Sequence, residues 1–153
     1  MKALLFGALL AAAGQASGQT RELHGAGDSF ARDGVSIVWG VLRGANEDLT
    51  QVRLRVLADP ARYTHFAVVG VDPFSKEEAL HAAPRAAAPS AIVAISRARF
   101  AQLPRTEVRF FSSERDLAAG KPALVIYYLG VPDTTPEFDG EAKLTRHLEG
   151  ERK

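Results

Sequence analysis

The chain is 153 residues long, carries 19 basic against 18 acidic side chains, and contains no cysteine. That length fits one domain, and a formal charge of +1 removes the basic excess that a nucleic-acid or anionic-membrane partner requires. Without cysteine there is no disulfide scaffold, thiolate zinc site, cysteine nucleophile or lipidated cysteine. A hydrophobic share of 46% with 8% aromatics is that of a folding chain rather than a disordered one.

Residues 1–18 have the three-part layout of a secretory signal peptide. Lys2 is the charged start, Ala3 to Ala13 is an uncharged run of 11 residues, and Ala16-Ser17-Gly18 fits a small-x-small cleavage site. The run falls short of the roughly 20 apolar residues that cross a bilayer. No second long apolar run is present, so no membrane span is expected. The expectation is a protein that is periplasmic or secreted after cleavage near Gly18. Lys2 and Met1 leave with the leader, so the remaining chain has 18 basic and 18 acidic residues and no sulfur. Arg outnumbers Lys 14 to 5 and alanine is abundant, which suggests a GC-rich bacterial source.

Residues 20–34 are polar and Gly-rich, with Asp33-Gly34 as a turn. Val35 to Leu42 reads as a strand, β-branched and bounded by glycines. Gln51 to Leu57 alternates strictly: Val52, Leu54 and Val56 against Gln51, Arg53 and Arg55. That period is the mark of a strand with one buried and one wet face. A hairpin about residues 46–47 sets Trp39 opposite Leu54, Val41 opposite Val52 and Ile37 opposite Val56, with every pair apolar. Thr64 to Val71 is the next strand.

Ser75-Lys76-Glu77-Glu78 matches a capping box and predicts a helix of about two turns that Pro84 stops. Residues 81–90 read as a loop. Ala91 to Ser96 predicts a buried strand, Arg97 to Leu103 one helical turn, and Glu107 to Phe111 a strand. Ser113 to Gly120 predicts a short capped helix or wide turn. Ala123 to Val131 is the last and most apolar strand, and Pro132 and Pro136 make the segment after it irregular. The charged tail, residues 139–153, has Leu144 and Leu148 one helical turn apart and predicts a short amphipathic helix or a frayed end.

Six strands with connections too short for parallel crossovers predict an antiparallel β-sandwich of the immunoglobulin-like class with one or two short helices. The alternative is α+β with a mixed sheet. The domain division is a leader over 1–18, one β-rich domain over 19–138, and the tail.

Gly27-Asp28-Ser29 looks like the nucleophile block of GDS-type esterases. Gly44-Ala45-Asn46 followed by Glu47-Asp48 is similar to their Gly-x-Asn-Asp oxyanion block, with one residue intervening. The resemblance covers about eight residues and implies a serine nucleophile at Ser29. The family's third block, Asp-x-x-His, which supplies base and orienter, occurs nowhere in this sequence.

His24, His65, His81 and His147 fall at no metal-ligand spacing. Asp133, Glu137, Asp139 and Glu141 gather near Thr134 and Thr135, an oxygen-rich loop in which Asp133, Glu137 and Asp139 are the metal candidates. Neither a phosphate-cradling glycine loop nor another cofactor motif is present, so no cofactor is expected. Arg53 and Arg55 form a row able to read a carboxylate or phosphate bidentately. Tyr127 and Tyr128 must point to opposite faces of one strand, and Tyr128 joins the two arginines as a binding candidate. These features point to a non-enzymatic exported module that binds an envelope protein or a small anionic ligand. The alternative is a small periplasmic hydrolase or metal-binding protein using the Asp133–Glu141 loop.

Overall fold

A computed structural model describes residues 19–82 and 90–150. The leader reading of residues 1–18 and residues 83–89 of the loop read over 81–90 lie outside the described residues; residues 81–82 and 90 of that loop are instead the ends of strands. Ten strands run in chain order: β1 (Arg21–His24), β2 (Ser29–Arg32), β3 (Val35–Leu42), β4 (Gln51–Ala58), β5 (His65–Val71), β6 (Glu77–Ala82), β7 (Ser90–Ser96), β8 (Arg105–Phe111), β9 (Leu124–Leu129) and β10 (Glu137–Phe138). Among the described residues three helices punctuate them: α1 (Arg97–Phe100), α2 (Glu114–Ala119) and α3 (Glu141–Leu148).

The strands form two sheets. The first has the order β1-β9-β8-β5-β6; the second has β10-β3-β4-β7, with β2 also pairing β3. The arrangement is sandwich-like and mostly β, as the alternation demands. The wholly antiparallel expectation is corrected, because β1 pairs β9 in parallel and β10 pairs β3 in parallel. Both parallel strands are short segments at sheet edges: the chain leaves β1 for the other sheet and reaches β10 from β9 of the other sheet.

The hairpin register stands as the apolar pattern dictates. Ile37 faces Val56, Trp39 faces Leu54 and Val41 faces Val52, and all six are buried. Across the core lie Phe66, Val68, Val108, Phe110, Leu124, Ile126 and Tyr128 of the first sheet. Trp39 sits at the centre of one end, edge-on to Tyr128 at 4.8 Å and to Phe100 at 5.8 Å between ring centroids.

The predicted helix after Ser75 is instead β6, which closes a hairpin with β5. The Asp72 carboxylate accepts from the amides of Phe74 and Lys76, at 2.8 and 2.9 Å. That local bond folds residues 72–76 into a turn, and Ser75 takes a left-handed φ of 66° within it. The pairing slips between Val68 and Val69, skipping Leu80, which packs against the core. Tertiary pairing here overrides the helical propensity of the sequence.

In the tail, Glu141–Leu148 form the helix of the two alternatives. Leu144 and Leu148 of α3 are fully buried against β3, each adding about 1.5–3 kcal/mol of apolar burial. Gly40 makes the seat: a Cβ there would stand 2.5 Å from Leu144 Cδ1. The helix therefore belongs to the same body as the sheets.

Candidate functional site

Two recesses flank one tie between the β1–β2 and β9–β10 links. The Thr134 hydroxyl donates to Asp28 Oδ1 at 2.8 Å, and the Asp28 amide donates back to Thr134 Oγ1 at 3.0 Å. The Asp28 carbonyl accepts from the Trp39 amide at 2.8 Å, which fixes both links to the centre of β3.

The first recess has a volume of about 320 Å³ and lies between the two links. His24, Gly25, Gly27, Tyr128, Gly130 and Asp133 are among its walls. Tyr128 enters as an inward residue of β9 and is 1% exposed. Gly25 lies directly on its ring: a Cβ at Gly25 would meet the Tyr128 hydroxyl at 2.8 Å and two ring carbons closer still. Only a residue without a side chain lets the main chain approach the phenol this closely.

The polar chemistry of this corner is incomplete. Four buried side-chain polar atoms among the described residues lack a hydrogen-bond partner. Three of them, Trp39 Nε1, Tyr128 OH and Thr106 Oγ1, share this end of the core, Thr106 standing directly opposite Tyr128 in the sheet. Such groups carry a desolvation cost of about 1–3 kcal/mol each when unpaired. Burial pushes the Tyr128 hydroxyl up to about 12, with the neighbouring indole N–H acting the other way. The indole thus lies close to the phenol without reaching hydrogen-bond geometry. At neutral pH the phenol remains a proton donor with nothing to donate to.

The second recess, of about 440 Å³, lies under the C-terminal end of α3 and is lined by Ser29, Ser36, Arg55, His147 and Glu149, among others. It brings together the esterase-like block and the arginine row. The groups are nevertheless committed elsewhere. His147 Nε2 lies 2.7 Å from the Trp39 carbonyl, which accepts only, so that nitrogen carries the proton and donates it to main chain. Asp28 Oδ2 is 4.0 Å from the same nitrogen, beyond hydrogen-bond range. Asn46, in the second esterase-like block, uses its Oδ1 to accept the Leu49 amide at 3.2 Å in the β3–β4 turn. The two blocks do not assemble a relay.

The arginine row binds a carboxylate, and the carboxylate is the protein's own. Arg53 Nη1 and Nη2 donate to Glu141 Oε1 and Oε2, each at 2.8 Å. Its Nε and Nη2 also hold Gln51 Oε1. The Arg53 hydrogen bond holds Glu141 below the usual carboxylate range. Arg55 Nη1 donates to the Leu148 carbonyl at 3.4 Å, at the C-terminal end of α3.

The acidic loop is dispersed. Glu137 pairs with Arg43 and Arg97, Asp139 with Lys143, and Glu141 with Arg53. No three His, Asp or Glu side chains converge into a metal site among the described residues. Asp133 alone of this group turns to the first recess. His65 is buried beside Thr64, its Nδ1 at 2.9 Å from the Thr64 hydroxyl.

Tyr127, the outward neighbour of Tyr128, lies under the Arg105 guanidinium at 3.9 Å. Arg105 continues into an ion ladder with Glu22, Glu107, Arg109 and Glu77 across the outer face of the first sheet. Leu129 at the end of β9, 65% exposed, and Phe74 in the β5–β6 turn, 88% exposed, are large apolar side chains left open at this sheet.

Comparison with known proteins gives no match to this chain among protein-family models, curated proteins or solved structures. Function therefore rests on the residues themselves. Sequence reasoning singled out Tyr128 and Asp133 separately, and the recess joins them. It passed over Gly25, whose only signal was its place in a polar, glycine-rich stretch.

Proposed function

We propose that the chain is an exported, non-enzymatic binding module of the bacterial envelope or medium, with its ligand site in the Tyr128 recess. The layout of residues 1–18 supports export. One observation carries the binding reading: a recess of about 320 Å³ opens between the two links, with glycine backbone in its walls and the exposed Asp133 carboxylate at its rim. The committed state of His147, Asp28 and Asn46 supports the non-enzymatic half of the reading.

Two assays test it. Cells expressing the full chain are fractionated and the protein's intact mass is measured. The expected product is periplasmic or secreted and begins at Gln19 (or Ser17). A cytoplasmic chain retaining residues 1–18 overturns export. Separately, p-nitrophenyl acetate is incubated with the wild type and with Ser29→Ala. Background hydrolysis by both is expected, and turnover that Ser29→Ala abolishes overturns the non-enzymatic reading.

A further inference from the structure

The edges of the two sheets are not equally guarded. β1 and β2 are four residues long and β10 is two. β6 carries Glu77 and Glu78, and its pairing with β5 slips. Short length, charge and bulges keep a strand edge from pairing with another chain. β7 has none of these. It runs seven residues, Ser90 to Ser96, without a charge or a proline. β4 pairs it on one side, and among the described residues no strand pairs it on the other. Ile92, 46% exposed, and Ala94 stand on its solvent face, whereas Val93 and Ile95 are buried.

Main-chain geometry fixes which groups lie open. The Arg97 amide donates to the Thr50 carbonyl at 2.7 Å, in continuation of the β4–β7 register. Hydrogen-bonded pairs alternate along an antiparallel ladder, so Val52–Ile95, Leu54–Val93 and Val56–Ala91 carry the bonds to β4. The amides and carbonyls of Ile92 and Ala94 therefore point to the open edge, and an antiparallel partner must bond to these residues. A second β7 does so with Val93 on a two-fold axis. Ile92 then meets Ala94 of the second copy, Ala91 meets its Ile95, and Ser90 meets its Ser96. All seven residues find a partner, and a large side chain faces a small one at each apolar pair off the axis. A shift of two residues either way sets Ile92 on Ile92 or Ala94 on Ala94 and leaves strand ends unpaired.

We propose that β7 pairs edge to edge with β7 of a second copy of this chain, antiparallel about Val93, and joins the second sheets of the two copies into one. A two-fold contact of this kind closes on itself and does not polymerise. Arg53 and Arg55, one strand in on the same face, are already engaged by Glu141 and the Leu148 carbonyl of α3. A single strand edge buries less than the roughly 1,200–2,000 Å² of a standard interface, so the dimer forms with rising concentration.

Sedimentation velocity from micromolar to millimolar protein, beside residue-resolved amide exchange by NMR, tests this on protein purified from the cell fraction that holds it. Monomer is expected when dilute and dimer when concentrated, with the Ile92 and Ala94 amides exchanging at least about tenfold more slowly in the dimer. The Ala91, Val93 and Ile95 amides, bonded to β4, should be protected in both. Ala94→Pro removes a donor at the open edge and no bond to β4, and should keep the protein monomeric. Ile92→Lys, at an exposed position, sets like charges diagonally across the axis and serves if Ala94→Pro fails to fold; it should weaken dimerisation about tenfold or more. Monomer at every concentration, a dimer indifferent to both substitutions, or a dimer in which the Ile92 and Ala94 amides stay fast overturns the proposal. So does full protection of these amides in the dilute monomer, where the chain itself covers the edge, or their protection by a different protein that co-purifies.

Discussion

Arg53 and Glu141 form a two-pronged pair across 88 residues of sequence, each guanidinium nitrogen 2.8 Å from its own carboxylate oxygen. One partner is on the wet face of β4 and the other opens α3, so the fork sets the position at which the helix meets the sheet. Glu141 also stands in the first turn of α3, where the helix dipole favours a negative charge. Because the Arg53 bond depresses its pKa, the contribution of Glu141 is present above the ordinary value of 4.5 and is lost as pH falls through the lower folded value. Hydrogen exchange of α3 amides should therefore accelerate relative to β4 as pH falls through that lowered value. Glu141→Gln should give the faster exchange already at neutral pH. Equal α3 protection in wild type and variant would contradict the docking account.

The apolar side of the same helix carries the larger effect. Leu144→Ala removes a fully buried side chain from the Gly40 seat and should cost about 2–5 kcal/mol in urea unfolding. Gly40→Ala presses on that leucine from the other side and should cost about 1–3 kcal/mol. Gly140→Ala, where a Cβ meets nothing within 4 Å, is the control and should fall within about 0.5 kcal/mol of wild type.

The Asp72–Lys76 turn supplies a test of opposite signs. Ser75 holds a left-handed φ of 66°, a conformation that costs a non-glycine residue about 1–2 kcal/mol. Ser75→Gly should raise stability by about 0.5–1 kcal/mol, because the relief of strain exceeds the added chain entropy. Asp72→Ala frees two amides and should lower stability by about 1 kcal/mol. Thermal melts of the two variants should move apart around the wild type.

This turn is also where the residues misled. Ser75, Glu77 and Glu78 satisfy every local rule for starting a helix. What decides the segment is the Asp72 carboxylate binding forward to main chain, and an unpaired β5 edge that β6 fills. Neither is a property of residues 75–83. The β3–β4 hairpin was legible to the single pair, because strict alternation admits only registers that keep Trp39, Leu54 and Val52 on one face. The edge strands β1, β2 and β10 carry no such pattern, since most of their side chains are exposed. The site was half legible. An alternation argument separates Tyr127 from Tyr128 without saying which one faces inward, and no spacing rule brings Gly25 or Asp133 to Tyr128. The arginine row was read with the right chemistry, bidentate carboxylate recognition, but its carboxylate proved to be Glu141 of the same chain.

Alkaline stability isolates the buried phenol. A folded value of about 12 against an ordinary 10.0 means the unfolded chain loses the Tyr128 proton first. Stability is then intact below pH 10 and declines as pH rises toward 12, by about 2–3 kcal/mol from this group. Tyr128→Phe removes that decline. Its melt at neutral pH should equal or exceed wild type, because the hydroxyl it deletes has no partner. Urea unfolding at pH 9 and pH 11.5 should show wild type losing more than the variant.

The recess as a ligand site is tested most directly by Trp39, the single tryptophan, which lies edge-on to Tyr128 at 4.8 Å. Its emission is followed while methyl glucoside, acetate and inorganic phosphate are each titrated into wild type and into Asp133→Asn, a change at the exposed rim of the recess. A saturable change in wild type with at least one of the three solutes, shifted in midpoint in the variant, is the predicted result. Flat titrations with all three solutes, or the same curves for both proteins, would contradict it.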